Sequence, residues 1–219
     1  MSSWLRRGLW VPPLLLVLVA VLGLLIRLGD LANQEILLSI WLTGNQTQPW
    51  SWLFGVIAVA LSPVGAPILT LLAALVVWWR RTAALALGLL ALTFAGWGFA
   101  AVIKPLVGRP RPDASVLLDP ISPQVGFLSF PSGHTAFAAA FASALVLVLV
   151  PRARRRLGFV VGAVAVSLVA LSRIYVGAHF LTDVTAGAIL GVSGVWFALS
   201  WWVWWRTRPT SSSHILKQN

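Results

Sequence analysis

Cysteine is absent from the 219 residues, and only 10% of them are charged. The first absence removes disulfide frameworks, thiolate metal sites and any thiol nucleophile. The second excludes a soluble domain of this length, which needs far more polar surface than this chain supplies. A sequence that is 59% hydrophobic belongs in a membrane. Acids are scarcer still, five against sixteen lysines and arginines, for a formal net charge of +11. Such a charge suits nucleic acid, but here the cations stand in short clusters between apolar segments rather than along one polar face. That is the pattern of membrane topology, and no nucleic-acid partner is expected.

The long apolar runs define the organisation. Residues 8–26 carry no charge over about the length that crosses a hydrocarbon core as a helix. Arg6 and Arg7 precede the run, and no A-x-A site follows it, so it reads as a retained signal anchor. Residues 27–52 turn polar, with a short amphipathic stretch around Ile36, Leu37, Leu38, Ile40 and Trp41 that suits the interface. A second span lies within residues 52–79, with Ser62-Pro63 placed to break it into an interfacial piece and a spanning piece. Residues 83–103 make a third span. Residues 105–130 hold Pro105, Pro110, Pro112, Pro120 and Pro123 and read as an ordered loop. Residues 132–150, 157–176 and 183–205 complete six spans, the last closed by a tryptophan belt. The expectation is an all-α, polytopic protein with one membrane domain over residues 1–206 and a disordered cytoplasmic tail over 207–219.

Charge orients these spans. With Arg6 inside, Arg80 and Arg81, the cluster Arg152, Arg154, Arg155 and Arg156, then Arg206, Arg208 and Lys217 all fall on the cytoplasmic side. Arg27, Lys104, Arg109, Arg111 and Arg173 fall outside with all five acids, Asp30, Glu35, Asp113, Asp119 and Asp183. The positive-inside rule accepts this orientation, with both termini cytoplasmic, and rejects its inverse.

Three stretches rich in ionisable or polar groups then meet at the outer boundary. "KPLVGRPRP" sets Lys104, Arg109 and Arg111 among prolines, a rigid backbone of the kind that holds a guanidinium for bidentate phosphate contact. "FPSGHTAF" opens the fourth span with Ser132 at a plausible N-cap. The free N–H groups of Gly133, His134 and Thr135 would then face an anion at the positive end of the helix dipole. "SRIYVGAHFLTD" places His179 and Asp183 four apart. If the sixth span starts near His179, they are neighbours on one helix face, and the carboxylate fixes the imidazole tautomer with Nε2 free. Of the three histidines only His214, in the tail, lies outside these stretches. Four cations (Lys104, Arg109, Arg111 and Arg173), two imidazoles, one carboxylate and a helix N-terminus describe a pocket for a phosphate group with an acid and a nucleophile at hand. The residue chemistry leaves open which histidine attacks.

Lys104-x6-Arg111-Pro112, Pro131-Ser132-Gly133-His134 and Ser172-Arg173-x5-His179-x3-Asp183 resemble the three-part signature of the phosphatidic acid phosphatase type 2 and vanadium haloperoxidase superfamily, in order, residue type and spacing. The resemblance implies a helical bundle that hydrolyses phosphate esters or anhydrides without a metal or other cofactor. It makes His179 the nucleophile, Asp183 its orienting partner and His134 the acid that protonates the leaving oxygen. Lys104, Arg111, Arg173, Ser132 and the Gly133 N–H hold the phosphoryl oxygens. Membrane embedding favours a lipid phosphate substrate, of the undecaprenyl diphosphate or phosphatidylglycerophosphate class, processed at the outer face of the cytoplasmic membrane through a phosphohistidine. The alternatives are a lipid phosphotransferase using the same phosphohistidine, and a non-enzymatic anion-binding or transport protein, whose inverted repeats are not seen. Arg109 is a cation beyond the signature and has no assigned role.

Overall fold

The computed structural model describes residues 2–29, 31–118, 121 and 126–208. Among them the regular structure is all helical: α1 (Ser3–Leu28), α2 (Leu31–Gly44), α3 (Gln48–Ala60), α4 (Gly65–Arg80), α5 (Ala83–Val107), α6 (Gly133–Leu149), α7 (Arg155–Tyr175) and α8 (Leu181–Arg206), with a 3₁₀ turn Arg152–Arg154 before α7. Asp30, Asp119, His214, Lys217 and the tail beyond Arg208 lie outside the described residues.

Helices α1, α5, α7 with its preceding turn, and α8 are each long and apolar enough to cross a membrane. Helices α3 and α4 form a fifth candidate, bent by 76° at the break expected around Ser62-Pro63. Helix α6 has 17 residues, about 26 Å at 1.5 Å per residue, shorter than the other candidates. The surface confirms the solvent. Val17, Leu25, Ile68, Leu72, Val160, Val164 and Val192 point outward, which water would penalise and lipid does not. Exposed Trp79 and Trp202 carry the guanidinium groups of Arg80 and Arg206 over their rings, as interfacial side chains do.

Helix α6 lies at the centre, packed on α5, α7 and α8. Close approach of α6 and α8 depends on absent side chains: a Cβ on Gly191 would stand 2.3 Å from the Ala136 carbonyl oxygen, and one on Gly187 2.5 Å from that of Ser132. Lipid offers no hydrophobic drive between helices, so contact of this kind is what holds them together. Helix α1 packs against α8, with Gly8 beside Ser200 and Trp196, while Gly23 meets Phe130 and Val107. Both described chain ends therefore share one end of the bundle, and the three signature stretches gather at the other.

Two boundaries differ from the sequence expectation. Helix α5 continues through Pro105 to Val107 and stops at Gly108, whose φ of 59° is left-handed and whose N–H bonds to the Lys104 carbonyl at 3.0 Å. A proline in the last turn disturbs little, and the glycine ends the helix instead. Helix α8 begins at Leu181, so His179 precedes it rather than lying on its face.

Candidate active site

Helices α1, α5 and α7 run toward the site and α6 and α8 run away from it, so two helix N-termini with their positive dipole ends open there. The loop between α5 and α6 folds back on itself through Ser129 N–H to the Arg109 carbonyl (3.0 Å) and Arg111 N–H to the Gly126 carbonyl (3.2 Å). A bond from Ser132 N–H to the Asp183 carbonyl, 2.9 Å, ties the start of α6 to the start of α8. Residues from all three stretches are thus brought together.

His179 is buried in the turn before α8. Its backbone N–H, and that of Ala178, bond to the Arg173 carbonyl at 3.2 and 3.0 Å, so Arg173 positions the imidazole through its main chain. Nδ1 stands 3.4 Å from both Asp183 Oδ2 and Ser129 Oγ, longer than a tight hydrogen bond. Nε2 lies 3.4 Å from Arg111 Nη1, and Arg111 is itself anchored on the Ala178 carbonyl at 2.9 Å. Burial, opposed by the Asp183 carboxylate, pushes the imidazole pKa down to about 3. Burial therefore favours the neutral ring, with Asp183 placed to accept a hydrogen bond from Nδ1–H.

The Asp183 carboxylate is saturated. Oδ1 accepts from Arg109 Nη1 (2.7 Å), and Oδ2 accepts from Ser129 Oγ (2.5 Å) and from the Phe180 N–H (2.9 Å). The last contact closes the first turn of α8, so the expected His179–Asp183 pairing exists but is made by a helix-capping turn, not by a shared helix face.

Among the phosphate-binding candidates Arg111 reaches Nε2 directly, and the others lie on the stretches gathered at this end of the bundle. Arg173 is fully buried, and its Nε, Nη1 and Nη2 have no hydrogen-bond partner among the described residues. A buried guanidinium of this kind is costly unless an anion meets it. Lys104 Nζ holds the Leu128 carbonyl at 2.7 Å, and its stem runs beside Gly133, where a Cβ would come within 3.5 Å of Lys104 Cε. Ser132 occupies the N-cap of α6, but its side chain caps no N–H; its Oγ accepts from Thr135 Oγ1 at 3.2 Å. The first backbone bond of α6 runs from Ala136 N–H to the Ser132 carbonyl, so the N–H groups of the preceding turn have no intrahelical acceptor. His134, in that turn, stands apart from the Asp183 cluster, with Nε2 3.0 Å from the Ala58 carbonyl at the end of α3. That oxygen only accepts, so the contact puts a proton on Nε2.

Sequence reading missed Ser129 and Glu35 and left Arg109 unassigned. Arg109 is buried and turned inward: Nη1 reaches Asp183 Oδ1 and Thr182 Oγ1, both at 2.7 Å, and Nη2 reaches Glu35 Oε2 at 2.8 Å. Its guanidinium also lies 4.1 Å above the Phe180 ring. A cation followed by a proline was the one available signal. Ser129 and Glu35 carry no motif.

The fold and site define a membrane-embedded helical bundle with a cationic pocket around a neutral histidine. A family model described as the PAP2 superfamily matches residues 83–208, more than half of the chain, and the chain belongs to that family. The phosphatidylglycerophosphatase B of Bacillus subtilis is 30% identical over 154 residues, covering 66% of this chain and 72% of that protein. A lipid A 1-phosphatase of Rhizobium etli is 37% identical over 103 residues, 45% of this chain and 40% of that protein. The crystal structure of a transmembrane PAP2 type phosphatidylglycerolphosphate phosphatase from Bacillus subtilis aligns with a TM-score of 0.71 at 23% identity, covering 90% of this chain and 97% of that one. That of Aquifex aeolicus LpxE aligns with a TM-score of 0.59 at 22% identity, covering 76% and 94%. The family match and the Bacillus subtilis phosphatidylglycerophosphatase B place the chain among the membrane lipid phosphatases of the family, and the two solved structures show that the fold is shared.

Proposed function

We propose that this chain hydrolyses a lipid phosphate or diphosphate through a phosphohistidine on His179, without a metal, at the outer face of the cytoplasmic membrane. The observation that carries the reading is the pairing of a neutral, buried His179 Nε2 facing Arg111 with the buried guanidinium of Arg173, which has no partner among the described residues. In the first half-reaction the Nε2 lone pair forms the N–P bond as the P–O bond to the leaving group breaks. Asp183 accepts the hydrogen bond of the Nδ1 proton, and His134 enters as the imidazolium, keeps its Nε2–H on the Ala58 carbonyl and gives its other proton to the departing oxygen. Water then attacks phosphorus with His134 as base, and the P–N bond breaks to return His179 to its neutral form. Lys104, Arg111, Arg173 and the α6 N-terminus with Ser132 and Gly133 hold the phosphoryl oxygens.

In this reading α6 is also a span, the fourth of six in one membrane domain over residues 1–206, both termini are cytoplasmic and the site faces outward, in keeping with the clustering of basic residues. The substrate is of the undecaprenyl diphosphate or phosphatidylglycerophosphate class, the latter favoured by the name of the Bacillus subtilis relative. Metal independence is supported by the donor set, since Glu35 and Asp183 are both committed to Arg109 and the rest of the pocket is cationic. The test is phosphate release by purified protein across a panel of lipid phosphates, with and without chelator and vanadate. Release that survives chelator and stops with vanadate is expected, as is loss of turnover in His179→Ala. His134→Ala should accumulate an acid-labile phosphoenzyme from a substrate with a good leaving group. Turnover by His179→Ala, or activity that requires added magnesium, would refute the reading.

A further inference from the structure

Arg109 lies outside the three-part signature, yet it makes the shortest ionic contact of the Asp183 carboxylate: Nη1 to Oδ1 at 2.7 Å, with Nη2 on Glu35 at 2.8 Å. Its side chain is 1% exposed, that of Asp183 0% and that of Glu35 10%. Glu35 belongs to α2, and besides Arg109 it accepts from the Thr182 N–H at 2.7 Å and the Thr182 hydroxyl at 2.8 Å. It therefore caps the first turn of α8 from a helix 147 positions away in the chain. Two carboxylates share one guanidinium here, in a largely buried cluster.

That stoichiometry has a chemical consequence. With His179 neutral, Glu35, Arg109 and Asp183 together carry one excess negative charge. Attack by Nε2 on phosphorus makes the imidazole a cation, because Nδ1 keeps its proton while Nε2 gives its lone pair to the new bond. The excess charge is cancelled at that step and restored when water breaks the P–N bond. Lys104 and Arg111 also act electrostatically on His179; in the phosphohistidine reading they and Arg173 hold phosphoryl oxygens, which balance their charge. If Arg109 paired Asp183 alone, the cluster would be neutral before attack and cationic after it.

We infer that Arg109 is a positioning residue that aims the Asp183 carboxylate at His179, and that Glu35 supplies the negative charge which the phosphohistidine state neutralises. The inference rests on the phosphohistidine reading above and adds two residues to it. A plain structural ion pair would also bury these groups, but it would affect folding and not the balance between binding and chemistry.

The experiment measures steady-state kinetics, vanadate affinity and acid-quenched phosphoenzyme for wild type, Arg109→Gln, Arg109→Lys, Glu35→Gln and the double variant Arg109→Gln/Glu35→Gln, all as full-length protein in detergent. Loss of a charge-assisted bond to the Asp183 carboxylate lowers kcat about 10- to 100-fold in Arg109→Gln. KM and vanadate affinity should stay within about threefold, because Arg109 does not touch the phosphate. Arg109→Lys supplies the charge without the two-pronged geometry and recovers only part of kcat. Glu35→Gln lowers kcat and the phosphoenzyme level, and the double variant is no worse than Arg109→Gln, since removing both charges leaves the one excess negative charge on Asp183. Millimolar methylguanidine restores part of the kcat lost in an Arg109→Ala protein. Wild-type kcat in Arg109→Gln and Glu35→Gln, or losses carried by KM with phosphoenzyme unchanged, would overturn the inference. If Arg109→Gln does not fold, the Arg109→Lys and Glu35→Gln proteins decide by the same criteria. A wild-type protein that releases phosphate but never forms a phosphoenzyme would refute the parent reading instead.

Discussion

Replacing Asp183 by Asn removes one charge and almost no volume, and no orientation of the new amide satisfies its surroundings. With the carbonyl kept toward Arg109 Nη1, the amide nitrogen faces Ser129 Oγ at 2.5 Å, the Phe180 N–H at 2.9 Å and His179 Nδ1 at 3.4 Å. Ser129 can reverse its hydroxyl. The Phe180 N–H cannot reverse, and a buried donor left unpaired costs about 1–3 kcal/mol of stability. His179 responds by moving its proton from Nδ1 to Nε2, which removes the lone pair that attacks phosphorus. Flipping the amide instead sets two donors, the NH₂ and Arg109, against each other. The expected outcome is a fall in kcat of about a thousand- to ten-thousandfold, the size seen when an orienting carboxylate is lost from a histidine-dependent site. KM should move less than about threefold, because Asp183 makes no contact with the phosphate. The assay is phosphate release and acid-quenched phosphoenzyme on detergent-purified protein, with a melting curve to show that the fold survives. A kcat within tenfold of wild type, or a loss carried wholly by KM, would show that the carboxylate does not set the tautomer.

Arg173→Ala should weaken vanadate binding and lower kcat/KM about a hundredfold, since its guanidinium is fully buried with no partner among the described residues; unchanged vanadate affinity would remove it from the phosphate site. Gly191→Ala, which drives a Cβ to 2.3 Å from the Ala136 carbonyl, should destabilise the bundle by about 1–3 kcal/mol. Gly88→Ala, where a Cβ meets nothing, should stabilise it by up to about 1 kcal/mol; melting in detergent decides both. Because burial lowers the His179 pKa to about 3, the imidazole stays neutral as pH falls through its ordinary 6.5 and protonates only near the depressed value. The His179 contribution to the acid limb of kcat/KM therefore lies well below pH 6, and a limb at 6.5 that vanishes only on changing His179 would contradict the burial argument. A reporter fused after Asn219 should remain cytoplasmic, and external exposure of it would invert the topology.

Much of this protein is local in sequence and was legible there. Hydropathy over about twenty residues located α1, α5, α7 and α8, and the Ser62-Pro63 break between α3 and α4, because crossing lipid requires a continuous apolar run that side-chain composition alone reveals. The three charged stretches stood out for the same reason: lysine, arginine, histidine and aspartate at an apolar boundary are expensive without a partner. Packing decided what joins them. Arg109 and Glu35 are 74 positions apart, Glu35 and Thr182 147, and Ser129 and Asp183 54, and no periodicity links such pairs. Four-residue spacing of His179 and Asp183 is equally consistent with a helix face and a capping turn. Only the start of α8 at Leu181 distinguishes them, and that start depends on Glu35 and the Asp183 carboxylate meeting the free N–H groups of its first turn. Sequence thus specified which groups reach the boundary, since desolvation acts on each residue singly, while the sharing of one guanidinium between two carboxylates depends on distances that exist only once α2, the α5–α6 loop and α8 have packed.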